Sequence, residues 1–216
     1  MDKLRMRFSK TGRAVYISHL DLMHTIQRAF SRSGYKVKYS EGFNPHPVIS
    51  IALPLSVGMS SICEIMDFRL EGEPDLSELP AKMNSALPEG IEVLEVYEAV
   101  EKVPSLKWLE VEGVFRYNSA PDVELVRNFF SQKEIVISKK TKRGVADTDI
   151  VPGIREISFE NSENDIRVHA VVSAQDPTLN PELLAEALRQ RNPGLAPVFA
   201  SFRRIEIYDD GMKVFR

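Results

Sequence analysis

Lys3-Leu4-Arg5-Met6-Arg7-Phe8 alternates without a break, apolar at Leu4, Met6 and Phe8 and cationic at Lys3, Arg5 and Arg7. A period of two belongs to a strand whose side chains point to opposite faces, so one face is expected in the core and the other is basic. Lys10-Thr11-Gly12-Arg13 then reads as a turn, followed by a short apolar run from Ala14 to Ile17. Ser18 is an N-cap with Asp21 at N3, close to a capping box. From there Leu22, Ile26, Ala29 and Phe30 share one stripe at helical spacing, His19 and Met23 border it, and Gly34 closes the helix as a C′ residue. Tyr35-Lys36-Val37-Lys38-Tyr39 alternates again, with Lys36 and Lys38 turned away from the aromatic side.

Further along, strands are predicted over 48–53, 62–70 and 91–97, with a helix over 76–87 closed by Pro88-Glu89-Gly90. The order is β-α-β-β-α-β, the split βαβ or ferredoxin-like pattern. A joint is expected within 99–109, around Pro104 and Ser105. Beyond it come strands over 111–117, 135–138, 154–159, 166–173 and 203–208. Helices open at Pro121-Asp122 and at Asn180-Pro181-Glu182. The expected fold is therefore α+β, two tandem ferredoxin-like domains with antiparallel sheets, the first over 1–100 and the second over 110–216. In such a fold both helices cover one sheet face, leaving the other free. If the strands carrying Arg5, Arg7, Lys36 and Lys38 are neighbours, those four charges share the uncovered face, as a solvated surface or as a seat for a phosphate backbone.

Composition narrows the functional classes. The 216 residues are 43% apolar, enough for two core-forming domains. One cysteine, Cys63, excludes a disulfide framework, a multi-thiolate metal site and a self-contained iron–sulfur cluster. No apolar run reaches the roughly 20 residues of a membrane span and no signal-like segment opens the chain, so a reduced, cytoplasmic protein is expected. The net charge of −3 is unevenly spread: residues 1–60 hold nine Lys/Arg against three Asp/Glu, and residues 61–216 hold 19 against 28. A basic first quarter points one surface towards a polyanion, or is simply a solvated face.

Between two strand-like runs stands Tyr39-Ser40-Glu41-Gly42-Phe43-Asn44-Pro45-His46-Pro47. Gly42 tolerates positive φ, and Pro45 and Pro47 hold Asn44 and His46 extended. Two readings stand: an ordered Ω-like connection whose His46 bonds to backbone, or a binding or catalytic loop presenting Tyr39, Ser40, Asn44 and His46.

Taken with Ser18-His19-Leu20-Asp21-Leu22 and Pro54-Leu55-Ser56-Val57-Gly58, this loop resembles the radical SAM-linked family, the DUF2344 domain family. Thr148-Asp149-Ile150-Val151-Pro152-Gly153-Ile154 is similar to that family's later motif, with Val151 where arginine is more usual. The resemblance implies association with a radical SAM enzyme as partner and a part in RNA modification. The chain has no Cys-x3-Cys-x2-Cys motif for the radical-generating cluster, so no cofactor of its own is expected. Tandem ferredoxin-like domains with a histidine near the first helix also resemble the RAMP-type RNA-processing proteins, an architectural likeness only.

Three chemistries follow. The leading expectation is an adaptor, RNA-binding in kind, that presents structured RNA or a carrier substrate to a radical SAM enzyme, with contacts through Arg5, Arg7, Asp21, Lys36, Lys38, Tyr39, Ser40 and Asn44. Lys140, Lys142 and Arg143 of the basic run Lys139-Lys140-Thr141-Lys142-Arg143-Gly144 are added as a phosphate grip, unless that run is a solvated loop. The alternative is a metal-independent endoribonuclease, with His19 and His46 as a general acid–base pair acting on a 2′-hydroxyl. The third is a metal site from His19, Asp21 and His46 with Glu64 or Asp67. His24 and His169 read as ordinary surface or strand histidines, and Tyr35, Tyr39 and Phe43 either stack bases or pack inside.

Overall fold

The computed structural model describes residues 3–72, 74–141 and 144–216, with only the backbone described at Lys140 and Thr141. It divides into a first unit, Met1–Ser105 with Phe215–Arg216, and a second, Leu106–Val214. Both mix helices with antiparallel strands, an α+β class, and the described residues hold four α-helices.

The first unit runs β1 (Leu4–Lys10), α1 (His19–Arg32), β2 (Ile49–Ile51), β3 (Ser60–Phe68), α2 (Leu79–Ala86) and β4 (Ile91–Glu98). Its strands lie in the order β4-β1-β3-β2, each pair antiparallel. Leu4, Met6 and Phe8 of β1 meet Leu22, Ile26 and Phe30 of α1 and Leu79 and Met83 of α2 in one buried cluster, so both helices cover the same sheet face. The N-cap holds: Ser18 Oγ accepts from the Asp21 N–H at 3.2 Å, and the Ser18 hydroxyl donates, side chain to side chain, to Asp21 Oδ2 at 2.7 Å. That fixes where α1 begins.

The opposite face departs from expectation. Arg5 does alternate away from Leu4 and Met6, but it is 0% exposed. Its register partner on β3 is Asp67, and Nε donates to Asp67 Oδ1 at 2.6 Å while Nη2 donates to Oδ2 at 3.1 Å and to the Glu101 carbonyl at 2.9 Å. The ring of Phe215 covers the guanidinium at 4.6 Å, and Arg216 holds Glu95 of β4. Arg7, between Ile65 and Glu95 in register, is half-buried. A guanidinium taken out of water needs an opposite charge and acceptors, and here distant parts of the sequence supply them.

The segment 35–39 is not a ladder strand. It makes the isolated bridges Val37↔Leu70 and Tyr39↔Pro47, whereas the neighbours of β1 are β3 and β4. Arg5, Arg7, Lys36 and Lys38 therefore do not form one basic face. The predicted strand over 48–53 shortens to β2, and the helix over 76–87 begins later, at Leu79.

The second unit runs β5 (Leu106–Arg116), α3 (Val123–Phe130), β6 (Val136–Thr141), β7 (Gly144–Asp149), β8 (Ile154–Ser162), β9 (Asp165–Ser173), α4 (Glu182–Arg191) and β10 (Phe199–Asp209). Its main strands lie in the order β10-β5-β9-β8, and β6 and β7 form a separate hairpin. β5 starts at Leu106, inside the stretch expected to be a joint. Gly113 of β5 has a packing reason: a Cβ there would stand 2.6 Å from the Phe202 ring, which itself meets Phe115 edge-on at 6.0 Å.

Candidate functional site

The loop after α1 is a stapled protrusion. Val48 N–H donates to the Lys38 carbonyl at 2.8 Å and Ser40 N–H to the His46 carbonyl at 2.9 Å. The His46 N–H donates to Ser40 Oγ at 3.1 Å, and that hydroxyl also meets His46 Nδ1 at 2.9 Å. Beyond this neck, Glu41, Gly42, Phe43, Asn44 and Pro45 are all exposed. Gly42 has φ +124°, a region open to glycine, and Phe43 stands fully in solvent. Prolines on either side of His46 and a closed neck keep the loop ordered without a core of its own.

A cleft flanks the neck on each side. One, of about 460 Å³, is lined by Lys3, Ser40, His46, Asp67, Phe68 and Arg69 among others. The other, also about 460 Å³, is lined by Lys38, Tyr39, Leu70, Glu71 and Gly72. Lys36, Lys38 and Arg69 are exposed and Tyr39 is 54% exposed. With Nδ1 engaged by Ser40, Nε2 is the His46 nitrogen left for a ligand in the cleft. At the cleft's edge Lys3 Nζ meets Asp67 Oδ2 at 2.5 Å, so Asp67 is shared between Lys3 and buried Arg5. Burial pushes the Asp67 carboxyl up, but the hydrogen bonds and charges of Arg5 and Lys3 more than reverse this and hold it below the usual carboxylate range. Asp67 stays ionised between two cations, so this wall of the cleft keeps one net positive charge at Lys3 and Arg5, and exposed Arg69 adds a second at its rim.

His19 is not part of this arrangement. Lys10, at the far end of β1, donates through Nζ to the Val15 and Ile17 carbonyls at 3.1 and 3.2 Å, so the chain enters α1 at that end. The His46 cleft is lined by Lys3 and Phe68, at the Leu4 end of β1. Seven strand residues separate the two ends by roughly 20 Å. The expected His19–His46 acid–base pair is therefore not formed, because α1 returns the chain along the sheet before the loop begins. Asp21 stays with His19, bonded to Ser18, so the metal set of His19, Asp21 and His46 does not assemble. No such trio of His, Cys, Asp or Glu converges among the described residues.

Of the basic run, Lys142 and Arg143 lie outside the described residues, and Lys140 is described only by its backbone in β6. The nearby acids are structural. Asp149 Oδ1 accepts from the Ile135 and Val151 N–H groups at 2.9 and 3.1 Å, and Asp147 accepts from the Ser138 hydroxyl. In the second unit Glu110 joins His169 Nε2 at 2.8 Å and the Tyr208 hydroxyl at 2.6 Å. Burial raises the Glu110 carboxyl, and these two partners more than reverse it, leaving it lowered. His169 is thus tied into a carboxylate network that its sequence context did not show. Lys3 and Arg69 are the cleft residues that sequence reasoning missed; Lys3 belonged to the alternating run, whereas nothing local marks Arg69.

An α+β chain of two antiparallel units, the first with a stapled loop beside exposed Lys36, Lys38 and Arg69, is the class that these observations define. The chain belongs to the family described as "Uncharacterized protein conserved in bacteria (DUF2344)", whose profile matches residues 3–181. No curated protein matches it. Among solved structures, a chain of "Crystal Structure of a Cbf5-Nop10-Gar1 Complex" is similar over 94% of this chain and 48% of its own, at 11% identity and a TM-score of 0.55. The chain thus spans about half the length of that neighbour, and the likeness is one of fold. A second, "Crystal Structure of an Unknown Protein from Galdieria sulphuraria", is covered over 96% of its length and 94% of this chain, at 12% identity and a TM-score of 0.28. No described helix is long and apolar enough to cross a membrane.

Proposed function

We propose that this chain is an RNA-binding accessory module that holds RNA for a radical SAM enzyme, its RNA contacts made by the 39–47 loop and the two clefts beside it. The observation that carries the reading is the placement of cations around a pre-formed aromatic loop: Lys3 and Arg69 in one cleft, Lys38 in the other, and exposed Lys36 two residues before it. Phosphates are gripped by such side chains, and exposed aromatics with amide and hydroxyl groups beside them suit unstacked bases. Tyr39, Ser40, Asn44 and His46 are the neighbouring base- or sugar-contacting groups. The strand orders β4-β1-β3-β2 and β10-β5-β9-β8 support a reading of each unit as a split βαβ, ferredoxin-like domain.

The radical SAM partner rests on the family resemblance carried by the motifs. With Cys63 as its one cysteine, the chain lacks the thiolates to bind an iron–sulfur cluster alone, so the radical chemistry falls to the partner.

The test is RNA binding as a function of salt. With Lys3, Lys36, Lys38 and Arg69 each meeting a phosphate, raising salt from about 50 to about 200 mM is expected to weaken single-strand binding roughly fifty-fold, with the RNA left uncut. Binding that is absent, or flat across that range, would overturn the reading.

A further inference from the structure

We propose that Phe43 is a stacking platform for one unpaired base, so that the RNA held at this site is single-stranded where it crosses the loop. The inference rests on the RNA reading above and adds to it which form of RNA the site takes. Three features carry it. Phe43 is fully exposed at the tip, although nothing in the loop's own geometry requires an aromatic ring there. The neck is closed by the Ser40–His46 bonds and by Val48 N–H to the Lys38 carbonyl, so the ring is presented without an ordering cost at binding. Each flank of the neck is a cleft with a cation in its lining: Arg69, with Lys3 paired to Asp67, on one side, and Lys38, with Glu71, on the other.

A ring standing proud between two phosphate-gripping flanks fits a strand that passes over the loop. The backbone runs in the clefts and one base lies on the ring. A duplex offers no free base face to such a ring, whereas an unpaired nucleotide does. Glu41, at the same exposed tip, disfavours phosphate there and keeps the backbone to the flanks. Asn44, the residue after Phe43, has the amide donors and acceptor that read a base edge.

The experiment is fluorescence anisotropy with a labelled mixed-sequence RNA oligonucleotide, alone and annealed to its complement. Wild type is compared with the Phe43→Ala, Phe43→Leu and Phe43→Trp variants. The single strand is expected to bind more tightly than the duplex. Phe43→Ala and Phe43→Leu are expected to weaken single-strand binding about tenfold, Phe43→Trp to retain it, and duplex binding to stay unchanged in all three. An apolar pocket on another protein would accept leucine, so a Leu variant equal to wild type overturns the stacking role. If RNA binds with steep salt dependence while Phe43→Ala is silent, the stacking assignment falls and the RNA reading stands. If no RNA binds at any salt, both fall.

Discussion

Asp67→Ala is expected to destabilise the first unit by about 3–5 kcal/mol, the range for removing one partner of a buried ion pair. Arg5 is fully buried, and Asp67 receives both its Nε and one Nη. What would remain is one bond to the Glu101 carbonyl and the Phe215 ring, too little for a desolvated cation. Urea unfolding followed by circular dichroism would give the loss, and amide exchange along β1 would locate it. Because Nη1 of Arg5 is buried without a hydrogen-bond partner, the pair is imperfectly satisfied. The double variant Arg5→Met/Asp67→Leu is therefore expected to regain most of the lost stability. The effect also has a pH signature. The Asp67 pKa is lowered on folding, so its stabilisation is present above the unfolded value near 4 and is lost as pH falls through the folded value. Wild type should consequently lose its advantage over Asp67→Asn progressively as pH falls below about 5. A difference that is constant across that range would show that the charge on Asp67 is not what holds Arg5.

Lys36→Glu/Lys38→Glu is expected to weaken RNA binding more than a hundredfold at low salt while leaving the fold intact. Both side chains are exposed, and what the segment gives to the fold is backbone: Lys38 N–H to the Arg69 carbonyl, the Lys38 carbonyl to Val48, and the Lys36 carbonyl to Glu71. Reversal removes two phosphate contacts and adds two repulsions, each contact being about a factor of ten or more at low ionic strength. Circular dichroism reports the fold and anisotropy the affinity. Arg7→Glu, by contrast, acts at a half-buried position on the sheet face opposite the helices and is expected to change stability rather than RNA affinity. Equal affinity of the lysine variant and wild type would remove these lysines from the interface.

Local sequence carried much of the fold. The period of two in residues 3–8, the stripe of Leu22, Ile26, Ala29 and Phe30, and the cap at Ser18 each depend on neighbours within one or two turns, and each is present. The alternation correctly put Arg5 opposite Leu4. Whether that second face met water depended on Asp67, 62 positions away, and on Phe215, neither of which local pattern can reveal. The same limit hid the distance between His19 and His46. Both flank α1 in sequence, but a helix that runs back along a sheet carries its two ends to opposite rims. Segment 35–39 alternates like a strand, yet its partners are single bridges to Leu70 and Pro47. Propensity cannot tell a bridged segment from a ladder when the neighbouring backbone decides. The loop was legible because its glycine and prolines constrain it locally. The cleft residues Lys3 and Arg69 meet only through β1 and β3, and so needed the fold.

Photo-crosslinking of bound single-stranded RNA, with the modified peptides mapped by mass spectrometry, tests most directly whether the stapled loop is the RNA site. The expected crosslinks fall in residues 36–46, with Phe43 and Tyr39 foremost, and next at Lys3 and Arg69. Crosslinks concentrated instead in residues 106–214, with 36–46 unmodified, would contradict the account.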